Sequence, residues 1–226
     1  MTNPWDKIFL NDFELAYKIA DQNYLQTSQV FDLRARALCS LLLRKYAGSL
    51  ADFLALKEIE KQTDRISDET YMDIGLCYYA MGDNDKAIEY FKFPMTNRKE
   101  IKYTCDISIP PSVLLFIGTK LGVQQLIKIS NRELKRLSKN KTIASNYLLG
   151  LITEVDLDRE FEEQPNETLR NRKQCKVEFY KAISQLQKGD FEKYKEHIMK
   201  CVELTGNFLE FEYYVAKVEY DKLNSR

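Results

Sequence analysis

Residues 71–91 read YMDIGLCYYAMGDNDKAIEYF. Tyr71, Ile74, Gly75 and Tyr78 recur at i, i+3, i+4 and i+7, the spacing of one face of an α-helix. Met81-Gly82-Asp83-Asn84-Asp85 interrupts that face. Gly82 can adopt the left-handed conformation that closes a helix, and Asp83 or Asn84 can cap the start of the next. Ala87, Ile88 and Phe91 supply the apolar stripe of a second helix. Small residues at Gly75 and Ala87 allow the two helices to approach closely, with Tyr78 and Phe91 filling the space beside them. The stretch therefore predicts a tight antiparallel helix pair.

The same spacing recurs elsewhere. Leu33, Ala37, Leu38, Leu41 and Leu42 form one stripe, and Leu50, Phe53, Leu54 and Leu56 another. Ala37 to Tyr46 matches Gly75 to Asn84, so Ser49 aligns with Ala87 and Phe53 with Phe91. Lys61 to Asp68, polar and turn-forming, is the natural place for residues inserted between these units. Pro4-Trp5 marks a helix start, and NDFELAYKIAD (residues 11–21) reads as a second helix behind a short first one, a capping unit. Near the C-terminus, GDFEKYKEHIMKCVE (189–203) parallels GDNDKAIEYFK, with Tyr194 in the place of Ala87. A final helix over residues 208–223 would close the open end.

This pattern resembles the tetratricopeptide repeat, a helix–turn–helix unit of about 34 residues. The resemblance implies an all-α, TPR-like α-solenoid of antiparallel helix pairs with a degenerate middle and a C-terminal capping helix. Residues 1–100 hold the N-terminal pairs, 101–165 the degenerate segment and 166–226 the last pair with its cap, in one continuous array. Pro94 departs from the family pattern. With Pro110-Pro111 it predicts an irregular crossing over residues 93–111, with 102–109 extended. Helices are expected over 112–120, 123–138 and 142–155. The acid-dense EVDLDREFEEQPNE (154–167) reads as a linker or solvated loop.

Composition bounds the function. Lys+Arg and Asp+Glu are equal at 34 each, so no net field draws the chain to nucleic acid or to an anionic membrane. No apolar run approaches the roughly 18 residues that span a bilayer, and the N-terminus does not read as a signal peptide. The five cysteines are widely spaced, which fits reduced, buried thiols in a cytoplasmic protein. Asp156, Asp158 and Glu160 alternate as in a calcium loop but lack its glycine and closing glutamate. Gly118 and Gly122 do not form a phosphate loop. Neither a metal nor a cofactor is expected. The only histidine, His197, lies one helical turn from Cys201, and an enzyme built on it is the remote alternative.

The resemblance implies protein binding in a groove lined by the first helix of each pair. Arg34, Arg36, Asp73 and Tyr79 are its candidate contacts, since arginine and tyrosine combine apolar area with directed polar groups. Arg132, Lys135, Arg136, Lys139 and Lys141 form the strongest positive cluster. The first four share one side of a helix, read either as a plain solvated face or as one that meets an acidic partner or the chain's own acidic 154–163 stretch. The short array with its PWDKIF…DFELAY opening is similar to small bacterial repeat proteins found beside secreted toxins, which implies an immunity partner that blocks a toxin domain. A scaffold, adaptor or regulator that takes a peptide in the groove is the alternative. A weak homodimer through tyrosine-rich surfaces stays open.

Overall fold

A computed structural model describes residues 2–63, 67–139, 142–204 and 206–224. Among them lie thirteen α-helices, and the β pairing is confined to an isolated parallel bridge between Ser67 and Lys102. The chain divides into two compact units, Met1–Cys105 and Asp106–Arg226.

The first unit contains α1 (Pro4–Phe9), α2 (Phe13–Thr27), α3 (Val30–Leu42), α4 (Tyr46–Gln62), α5 (Asp68–Met81) and α6 (Asn84–Thr96), each packed on its neighbour in sequence. The stretch quoted above forms α5 and α6. Gly82 closes α5 at φ 87°, and Asp83 accepts a hydrogen bond from the Lys86 amide at 3.2 Å. A Cβ on Gly75 would stand 2.8 Å from two ring atoms of Phe91, so only glycine permits this approach. In the preceding pair Ser49 replaces Ala87. Its hydroxyl donates to the Ala37 carbonyl at 2.8 Å, satisfying a polar group that the close packing buries.

The second unit contains α7 (Ile109–Leu121), α8 (Gln124–Ser138), α9 (Ile143–Leu148), α10 (Glu154–Glu162), α11 (Glu167–Lys188), α12 (Phe191–Glu203) and α13 (Phe211–Asn224). The long α11 is its axis, touching α7, α9, α10, α12 and α13. Tyr194, in the place of Ala87, is fully buried and packs against Phe116, whose ring centre is 6.4 Å away. Ala182 keeps a small residue where Gly75 stands.

One turn recurs across both units. The residue before the second helix's cap is left-handed at Asn11, Arg44, Gly82, Gly122 and Gly189. In each case the next amide donates to the carbonyl five residues back: Asp12 to Lys7, Lys45 to Ser40, Asp83 to Tyr78, Val123 to Gly118 and Asp190 to Gln185. This is the Schellman closure, which satisfies carbonyls left open at a helix end. The α7–α8 pair thus shares the turn of the clearer repeats. Its close contact uses Gly118, where a Cβ would meet Leu126 at 2.9 Å, three residues beyond the place Gly75 holds relative to the turn.

Four local expectations are corrected. Pro94 lies inside α6 rather than ending it. It sits in the last turn, where its missing N–H costs a single helical bond, and the Tyr103 hydroxyl donates to its carbonyl. The helix expected over 142–155 stops at Leu148, and Gly150 at φ 70° turns the chain. The acid-dense stretch is no loop: 154–162 is α10. Thr153 and Asp156 form a reciprocal capping box there, and Leu157 is buried on its inner side. The expected extension of 102–109 shrinks to the bridge at Lys102. Part of the expected insertion, residues 64–66, and Lys141 lie outside the described residues.

Candidate protein-binding surface

The inner-helix residues expected to line a groove are engaged within the first unit. Arg34 on α3 reaches α5, pairing with Asp73 at 2.8 Å and Glu69 at 2.7 Å. Asp73 is 1% exposed and Tyr79 is 2% exposed. Thr70 donates to Glu60 at 2.8 Å, and Asp68 accepts from the Thr104 amide and hydroxyl at 2.8 and 2.9 Å. Carboxylates outnumber cations in this cluster. Burial pushes the Asp73 carboxyl up to about 8, with Glu69, Glu60 and Asp68 adding to the rise and Arg34 opposing it. Burial likewise raises Glu60. Burial lowers the Arg34 guanidinium, but Asp73, Glu69 and Glu60 outweigh it and hold the group above its ordinary value.

Arg36 is also committed internally. It grips Asp52 with two hydrogen bonds of 2.8 and 2.7 Å, reaches Asp21 at 2.7 Å, and lies 4.8 Å over the Tyr24 ring. Arg34, Arg36, Asp73 and Tyr79 are thus not exposed anchors; the first three tie neighbouring helices together, and Tyr79 is core. A sequence signal was available. The run YMDIGLCYYAM is apolar or small almost all round, the mark of a helix buried on every side, and ten of the fourteen α5 residues are buried.

The basic residues behave differently. On α8, Leu126, Ser130, Leu134 and Leu137 face inward, while Lys128, Arg132, Lys135, Arg136 and Lys139 are exposed. Arg136 pairs with Glu133 at 3.1 Å. Among the described residues, Lys128, Arg132, Lys135 and Lys139 have no ion-pair partner. Lys128 extends the predicted cluster one turn toward the helix start, at the i, i+4, i+7 spacing that sequence already displayed. Among the described residues the chain's own acidic stretch makes no ion pair with this face. Asp158 pairs with Lys181 at 2.6 Å, Glu160 with Lys173 at 3.8 Å and Asp156 with Arg159 at 3.3 Å.

His197 and Cys201 do not come together as a reacting pair. The His197 Nδ1 lies 2.7 Å from Glu178 Oε2, across the α11–α12 contact. The Cys201 sulfur instead faces that of Cys175 at 3.0 Å, both thiols buried and free. Among the described residues no group of three or more histidine, cysteine or acidic side chains could hold a metal ion, and no helix is long and apolar enough to cross a membrane.

Residues 68–92 match the Tetratricopeptide repeat family. The match covers α5 and most of α6, the pair built on the Gly75–Phe91 contact. No curated protein matches the chain. The fold is all-α and TPR-like, of the kind that builds protein–protein interaction modules.

Proposed function

We propose that the chain is a non-catalytic binding protein whose contact surface is the basic face of α8, and that its partner is a folded protein domain with an acidic patch. The observation that carries this reading is the contrast between two sets of charges. The charged side chains of α3 and α5 are spent on holding helices together, whereas four cations on α8 are exposed and unpaired among the described residues. Such a stripe steers encounter with an opposite field and fixes register at contact. The net charge of zero supports a protein partner over nucleic acid. In its most specific form the partner is a toxin domain and the chain an intracellular immunity protein that covers it. This needs neither cofactor nor active site. The adaptor form, with a peptide lying along α3 and α5, finds less support because Arg34, Asp73 and Tyr79 are already engaged.

The test compares the wild-type chain with a Lys128→Glu, Arg132→Glu, Lys135→Glu, Lys139→Glu variant as baits in native-cell capture. All four positions are solvent-facing, so circular dichroism should be unchanged. The reading expects one dominant acidic partner, held by the wild type, released by salt and absent from the variant. Equal recovery of the same partner by both baits would overturn it.

A further inference from the structure

The first unit carries a cavity of about 320 Å³, at the lower end of the size range of ligand sites, set between α4, α5 and α6. Its floor is aromatic. The rings of Tyr71 and Phe93 stack in parallel with centres 4.1 Å apart, and Tyr90 lies 6.0 Å from Tyr71. Over this floor hangs Lys57 from α4. Its Nζ is 5.3 Å from the Tyr90 ring centre and 3.3 Å from the Tyr90 hydroxyl.

Lys57 is in an unusual position for a lysine. Its side chain is 14% exposed, yet its nearest carboxylate, Glu58, stands 3.9 Å away and is itself engaged by Lys61 at 3.0 Å. An ammonium has three protons to donate. Nζ also lies 5.9 Å from the Tyr71 ring centre, so the ammonium rests over two rings with one hydroxyl as its close acceptor and keeps protons for a further acceptor. Two acids, Glu89 and Glu100, also line the cavity. Both are exposed, and among the described residues neither has an ion-pair partner. The cavity thus offers Lys57 inside, Lys61, Glu89 and Glu100 on the exposed rim, and aromatic rings beside them.

We propose that this cavity is a binding site for a free α-amino acid with an aromatic or large apolar side chain. The ligand's carboxylate meets the Lys57 ammonium, its ammonium meets Glu89 and Glu100, and its side chain lies against Tyr90 and Phe93, the partly exposed rings of the lining. Each part of such a ligand meets a group of matching chemistry in the lining of the cavity. The cavity lies in the first unit and α8 in the second, so this site stands independently of the proposed protein contact.

The test is calorimetric titration of the full chain with L-phenylalanine, N-acetyl-L-phenylalanine, L-phenylalanine amide and L-alanine. Saturable binding of L-phenylalanine is expected. Loss of either charged end, or of the ring, should weaken it about tenfold or more, the usual worth of one charge-assisted contact. Lys57→Met keeps the stem over the rings and removes the charge, and should weaken binding similarly. Glu100→Gln, on the exposed rim, provides a second variant whose folding is not at risk and should also weaken it. No heat from L-phenylalanine up to its solubility limit would overturn the proposal. So would equal affinity for the acetylated compound, because the rim carboxylates would then have no role.

Discussion

Replacing Gly75 by alanine should be costly, while the same change at Gly48 should help. A Cβ at position 75 would lie 2.8 Å from Cδ1 and Cε1 of Phe91. Carbon atoms rest at about 3.5–4.0 Å, so the ring or the helix must yield by roughly 1 Å. Phe91 is fully buried and has no solvent to move into. Overpacking of this kind costs about 1–3 kcal/mol, offset by the roughly 0.5–1 kcal/mol that alanine gains over glycine in a helix. Gly48, in the first turn of α4, has nothing within 4 Å of its Cβ position, so Gly48→Ala shows the gain alone. The two variants should therefore differ by about 1–3 kcal/mol, at about 2–4 °C of melting temperature per kcal/mol for a chain of this size. Urea unfolding followed by far-ultraviolet circular dichroism measures the difference, and adding Phe91→Leu to Gly75→Ala should recover part of it. If Gly75→Ala is as stabilising as Gly48→Ala, the helix pair does not pack through this contact and the reasoning fails.

Other consequences are as direct. At the recurring turn, Gly82→Ala should lose about 1 kcal/mol, and Arg44→Gly, at φ 61°, should be neutral or gain up to about 1 kcal/mol, read by the same unfolding curves. Because the folded Asp73 carboxyl is raised to about 8 from an ordinary 3.8, the native state holds its proton longer than the unfolded chain does. Its contribution to stability therefore falls as pH rises from about 4 toward 8, by at most about 1.4 kcal/mol per pH unit. Asp73→Asn should flatten that slope; an unchanged slope would place the titration elsewhere. Thr153→Ala removes one half of the capping box and should cost about 0.5–2 kcal/mol. Amide exchange should then quicken across 154–162 and not in α11, whereas uniform quickening would argue against a local cap.

The helix pairs were legible wherever a small residue, a turn glycine and an aromatic recur at fixed spacing, as at Gly75, Gly82 and Phe91. Arg44 shows why the turn was harder to see one unit earlier. The backbone there is left-handed without glycine, so alignment to Gly82 locates the turn and composition does not. The capping box was written plainly as Thr153-x-x-Asp156, but the density of acids around it suggested a loop. Those acids instead meet Lys173 and Lys181 on α11, a match made between segments that sequence cannot juxtapose. The internal engagement of the groove candidates was hidden for a related reason. Arg34 and Asp73 look like surface residues one at a time, and pairing across α3 and α5 makes them structural. On α8, by contrast, periodicity alone put the cations on the outer side, because the opposing leucines fix which side is inner.

The most direct test of the α8 assignment is hydrogen exchange on the purified complex with the captured partner. The account predicts slowed exchange over residues 124–139 on complex formation, with α3 and α5 unchanged. Slowing confined to α3 and α5, with α8 untouched, would contradict it and return the binding surface to the inner helices.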